Sequence, residues 1–211
     1  MTVQDAPKAH GADDPIRLAP GVVWGEAYGA LVGACKAGGY ALPAVNVTGT
    51  NAINAVLEAA ADARSDLIVQ LSNGGARFFA GEGLADAAAA RVLGAVSAAR
   101  HVHLLARHYG VCVVLHTDHA NRALVPWVDA LIAESEAEIE RSGHPLFTSH
   151  MLDLSEEPIE RNLAECARVL GRLAPLGMAL EIELGVTGGE EDGIGAELGE
   201  VDDARLYTRP E

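Results

Sequence analysis

Short β-rich runs alternate along the chain with longer amphipathic stretches, at a period of about 35 residues. The β-like runs are YALPAVNV (40–47), DLIVQLS (66–72), VCVVLHT (111–117), PLFTSHML (145–152) and MALEIEL (178–184). Apolar residues at helical spacing predict helices near 24–37, 51–63, 86–108, 124–141 and 156–173. Strands that alternate with helices in this way imply parallel βαβ units.

Each run ends in polar groups: Asn46, Ser72 with Asn73, Asp118 with His119, Asp153, and Glu183. In parallel α/β folds the carboxyl ends of the strands carry the site, so the recurrence favours a (β/α)8 barrel of TIM type. A doubly wound open sheet is the alternative. No GxGxxG fingerprint follows the first strand, which weighs against a dinucleotide fold. About five strand–helix units are fewer than the eight of a closed barrel of roughly 250 residues. The expected organisation is therefore a flexible tail over residues 1–20 and a partial (β/α) barrel domain over residues 21–211.

Composition narrows the partners. The chain has 211 residues, 49% of them apolar, enough for a real core. Its 30 acidic side chains outnumber 15 basic ones, which argues against nucleic acid or an anionic membrane as partner. Cys35, Cys112 and Cys166 are odd in number and form no CxxC pair, so a reducing, cytoplasmic setting is the simpler expectation. The first residues lack the apolar core of a signal peptide, and no apolar run reaches the roughly 18 residues of a membrane span.

The chemistry concentrates at the strand ends. In VVLHTDHA, two-residue alternation puts His116 and Asp118 on one face and leaves His119 where the chain is expected to turn. Such side chains bind metal or move protons; equally, His116 can be a core histidine and Asp118 a turn cap. LIVQLSNGGA carries a Ser-Asn-Gly-Gly strand exit whose backbone amides could approach an anion, with Ser72 adding a hydroxyl. A purely structural turn is the competing reading. LEIELG places Glu181 and Glu183 on one strand face, where carboxylates are costly unless paired or metal-bound. The acidic stretch Glu190, Glu191, Asp192 reads as a solvated turn or a catalytic flap. His101 and His103, two apart on a helix, point to different sides and are discounted as ligands. The only lysines, Lys8 and Lys36, lie away from strand ends, so Schiff-base catalysis is not expected.

Taken together, ALPAVNVTGTNAINAVLEAA, IVQLSNGGARFFAGEG, LHTDHA, PLFTSHMLDLSEEPIERNL and LEIELGVTGGEEDG closely resemble class II, zinc-dependent fructose-1,6-bisphosphate aldolase, from about Tyr40 to Glu211. The resemblance implies reversible cleavage of fructose 1,6-bisphosphate to dihydroxyacetone phosphate and glyceraldehyde 3-phosphate, in glycolysis and gluconeogenesis. It implies that Asp118 is the catalytic acid/base and His119 a zinc ligand. Asp153 and Glu183 map to a second divalent-metal position, Ser72 to substrate contact with Asn46 near it, and Glu191, chosen over Glu190, to proton transfer. A homodimer is also implied.

Family members carry two further zinc-binding histidines and a Gly-Ser-rich phosphate loop downstream of the matching segments, whereas no histidine here follows His150. The 211-residue chain by itself is accordingly expected to have little aldolase activity. Two readings compete with the first: a tagatose-bisphosphate aldolase, and a catalytically silent fragment of the family.

Overall fold

A computed structural model describes residues 18–185, together with the backbone of 189–191 and 194–196. In chain order the elements are β1 (Gly21–Val22), α1 (Gly25–Gly38), β2 (Ala44–Asn46), α2 (Thr50–Ala63), β3 (Leu67–Leu71), α3 (Asn73–Ala80), α4 (Ala87–Tyr109) and β4 (Cys112–Ala120). There follow α5 (Val125–Ser142), β5 (Ser149–Asp153), α6 (Ile159–Leu173), β6 (Ala179–Glu183), β7 (Gly189–Glu191) and β8 (Ile194–Ala196).

The main sheet runs β2-β3-β4-β5-β6, every neighbour parallel. A doubly wound sheet reverses its strand order at a switch point. Here the order simply follows the sequence, as it does in a (β/α) barrel. The five strands therefore form an arc of barrel type, which decides between the two expected architectures.

Two-residue alternation divides the arc into two faces. Leu67, Val69, Leu71, Val113, Leu115 and Leu152 join Ile53 and Leu57 of α2, Val102 of α4, Leu131 of α5 and Val169 of α6 in the main core. The opposite face has a separate apolar cluster, in which Cys112 and Val114 of β4 and Ile68 of β3 pack against Val23 and against Leu31 and Tyr28 of α1. Helix α1 thus seals the amino-terminal half of that inner face. Its carboxyl-terminal half is left to polar side chains.

Periodicity located the long helices well because their buried faces are continuous. It missed β1, which is too short to show a period. Gly21 and Val23 donate their amides to Val111 O and Val113 O, occupying the lower edge of β4. Thr148, which donates to Leu115 O, takes over that edge from there. This succession explains why the apolar run at 145–152 pairs as a strand only from Ser149. Leu18 packs against the inner cluster, so ordered packing begins before Pro20, and residues 1–17 lie outside the described ones.

The Ser-Asn-Gly-Gly exit is also corrected. Asn73, Gly74 and Gly75 form the first turn of α3, with the Ser72 hydroxyl accepting from Gly75 N at 3.0 Å as an N-cap. Tertiary packing overrides the turn propensity of the glycines, because α3 lies tightly on α4: a Cβ at Gly94 would come within 1.8 Å of Ala76 O. Helix α4 begins with Asp86 accepting from Ala88 N and Ala89 N, and stops at Gly110 with φ 73°. No described helix is long and apolar enough to cross a membrane.

Candidate metal centre and acid/base site

The polar half of the inner face is assembled by register. Asn46 pairs with Gln70, Gln70 with His116, His116 with Ser149, and Asp153 with Glu183. Side chains separated widely in sequence are thereby laid side by side at the carboxyl end of the arc.

One irregularity completes the group. Thr117 pairs with His150 and Ala120 with Leu152, so β4 spends three residues where β5 spends two. This is a β-bulge, and it falls on Asp118 and His119. His119 has φ 35°, a left-handed conformation that non-glycine residues seldom adopt. The expectation that the chain turns at His119 is corrected: β4 continues to Ala120. Simple alternation would send Asp118 and His119 to opposite faces, whereas here both reach the polar one. Strain of this kind persists where the surrounding structure enforces it, and it concentrates at functional sites.

His119 Nδ1 lies 3.3 Å from Asp153 Oδ2 and 3.9 Å from Glu183 Oε2, and its Nε2 lies 4.0 Å from Asp118 Oδ1. His119, Asp153 and Glu183 each offer one ligand atom, all within 4.8 Å of one another. An imidazole with two carboxylates is a donor set that zinc and other divalent ions accept, so the residues present fit a metal.

The carboxylates are held from behind. Asp153 Oδ1 accepts from the Ser155 hydroxyl at 2.6 Å and from Ser155 N at 3.1 Å, which turns Oδ2 toward His119. The hydrogen bond with His119, helped by those from Ser155, holds the Asp153 carboxyl below the usual carboxylate range. Asn46 donates to Asp118 Oδ2 at 2.8 Å. Asp118 is buried, and the amide from the end of β2, two strands away across β3, fixes the direction of its second oxygen.

His116 is a buried neighbour of this group. Its Nδ1 shares a hydrogen bond of 2.8 Å with Ser149 Oγ. Its Nε2 stands 3.4 Å from Glu181 Oε2, near enough for attraction but too poorly aligned for a hydrogen bond. Burial holds the imidazole below its ordinary pKa, against the opposing pull of Glu181 and Asp118.

Of the residues singled out from sequence, Asn46, Asp118, His119, Asp153 and Glu183 come together, and Ser72 caps the helix that leaves the same end of β3. Glu191 pairs through its backbone with Ile194 in the β7–β8 ribbon, and its side chain, like Asp192, lies outside the described residues. His101 instead bonds Asn54, and His103 bonds Leu146 O. Sequence reasoning missed Ser149, Ser155 and Asn162. Asn162 alone left a signal, as a polar residue in the apolar series shared with Cys166, Val169 and Leu173.

The family model for class-II fructose-bisphosphate aldolase matches residues 26–211. A fructose-bisphosphate aldolase of Campylobacter jejuni is 54% identical over 192 residues, covering 90% of this chain and 52% of that protein. The class 2 fructose-bisphosphate aldolase of Escherichia coli K12 is 50% identical over 194 residues, covering 91% and 54%. The crystal structure of the Campylobacter jejuni aldolase superposes with a TM-score of 0.76 at 53% identity, over 82% of this chain and 48% of that one. The chain thus spans about half the length of the curated relatives it matches. The matched family model and the identity along the chain, on a sheet of the same fold, establish that the chain belongs to the class-II fructose-bisphosphate aldolase family.

Proposed function

We propose that this chain serves reversible aldol cleavage of fructose 1,6-bisphosphate to dihydroxyacetone phosphate and glyceraldehyde 3-phosphate, in glycolysis and gluconeogenesis. The observation that carries the reading is the close group of His119, Asp153 and Glu183 beside an aspartate held by Asn46. His119 would hold the catalytic zinc, and Asp153 and Glu183 a second divalent ion. When bound, zinc supplies Lewis acidity toward a ketone carbonyl.

The chain's own groups supply the rest. Asp118 is the acid/base: with Oδ2 accepting from Asn46, its Oδ1 faces His119 and can take the proton of the substrate hydroxyl that becomes the aldehyde carbonyl as the adjacent carbon–carbon bond breaks, and return it to that oxygen in the reverse direction. Ser72 accepts from Gly75 N, which leaves its hydroxyl proton for a substrate phosphate oxygen. Glu191 is assigned to proton transfer on the ribbon that follows β6. The three cysteines are unpaired, which supports a cytoplasmic setting, and a homodimer is the assembly proposed.

The native protein should cleave fructose 1,6-bisphosphate in preference to the tagatose isomer. Chelation should stop that cleavage and zinc restore it. Asp118→Ala should lower turnover by about 10²-fold or more while zinc content is unchanged. Cleavage indifferent to chelator, or normal turnover in Asp118→Ala, would contradict the assignment.

A second reading is favoured by the chain's spanning about half of its relatives: residues 1–211 alone are a catalytically silent fragment that turns over little sugar bisphosphate. Robust, chelator-sensitive cleavage by the purified 211-residue chain would refute it.

A further inference from the structure

We infer that Asn162 is a positioning residue that sets the spacing of the two carboxylates in the metal centre. The inference rests on the metal-binding reading of His119, Asp153 and Glu183. Asn162 closes the first turn of α6 and is 1% exposed. Its Nδ2 donates to Leu154 O at 3.0 Å and to Glu183 O at 2.8 Å. Its Oδ1 accepts from Cys166 Sγ at 3.2 Å, one turn along the same helix. The amide therefore has both donors and its acceptor engaged, with no alternative orientation that keeps all three bonds.

The two carbonyls mark the points where sheet pairing runs out. Asp153 and Glu183 are the last registered pair of β5 and β6. Beyond them the strands part, β5 into the turn in which Glu157 N donates to Leu154 O. A single buried NH2 group bridges the chain just after one carboxylate to the backbone carbonyl of the other. Ser155 aims the Asp153 carboxyl within its own strand exit. Asn162 is the group that ties the two exits to each other, on the side away from the ligand atoms. Groups behind metal ligands typically change metal affinity by about 10–100-fold when removed.

The structural alternative is that Asn162 only stabilises the packing of α6. Val169→Ala supplies the control, because Val169 is a fully buried residue of the same helix with no bond to either strand exit. The full chain, stripped of metal, is titrated with Co²⁺ and followed by the visible spectrum of the bound ion. Asn162→Ala and Asn162→Asp, the latter placing only acceptors against two carbonyls, should weaken Co²⁺ binding by about tenfold or more and alter its spectrum. Val169→Ala should lose thermal stability yet bind Co²⁺ within about twofold of the parent. An Asn162→Ala protein that binds Co²⁺ as the parent does overturns the inference.

Failure of the metal reading would look different: the parent chain would show no Co²⁺ binding that His119→Ala removes. In that event the clamp is decided on metal-free protein, by hydrogen exchange of the amides of residues 154–157. Faster exchange there in Asn162→Ala but not in Val169→Ala supports the tie between the strand exits, and equal exchange in both refutes it.

Discussion

The inner face of the arc is one surface with two characters. Its lower level, Ile68 with Cys112 and Val114, is apolar and covered by Leu31 and Tyr28 of α1. Two residues further along the same strands, Gln70 and His116 begin the polar level that ends in Asp153 and Glu183. The backbone is the same ladder at both levels, so the difference lies in what covers it. Where α1 excludes water, burial of apolar area stabilises the fold. Where nothing comparable among the described residues covers the face, carboxylates and an imidazole keep company at distances that the strand register imposes.

This division predicts that stability and metal binding separate by level, and the largest expected effect comes from breaking the support shared by both. Gly94 backs α3, whose cap is Ser72, and a methyl group there would meet the Ala76 carbonyl at 1.8 Å. Backbone cannot yield as a side chain does, so Gly94→Ala should cost more than about 3 kcal/mol, at or above the usual range for overpacking. Urea unfolding measures it, and a near-neutral midpoint would mean that α3 and α4 are less tightly apposed than described.

Leu31→Ala tests the lower level alone. Leu31 is 2% exposed, and its truncation should cost about 2–5 kcal/mol. Affinity for a divalent ion should stay within about twofold, because the cavity opens below the site rather than in it. A loss of affinity as large as the loss of stability would merge the two levels into one cooperative unit.

Acid provides a milder test on the histidines outside the site. Burial lowers His103 to about 4 and His150 to about 3. Unfolded, each imidazole titrates near 6.5, so below that pH the unfolded chain binds more protons than the folded one. Stability is therefore full above pH 6.5 and declines as pH falls toward 4, by up to about 1.4 kcal/mol per pH unit for each group. His103→Gln should flatten that slope in urea unfolding between pH 6.5 and 4, and an unchanged slope would remove His103 from the account.

The levels were unequally legible in the sequence. Alternation in LEIEL placed Glu181 and Glu183 together on one face, as the register against β5 bears out, whereas Asp118, joined to His116 by the same argument, falls in the bulge and has no registered partner. Helices such as α4 and α6 were readable because each buries a continuous stripe. Helix α3 was not, since Asn-Gly-Gly reads as a turn until α4 is set against it. The bulge at Asp118 and His119 left no local signature either: it exists as a register shift against β5, a partner more than thirty residues away. The position of Asn162 was visible as a break in an apolar series, but its target carbonyls were not, because they belong to two other segments.

On the proposed function, the upper level holds a divalent ion through His119. Equilibrium dialysis of the metal-free protein against zinc, compared with His119→Ala and Leu31→Ala, tests it most directly. Zinc should be retained by the parent and by Leu31→Ala and lost by His119→Ala. Equal retention by parent and His119→Ala would contradict it.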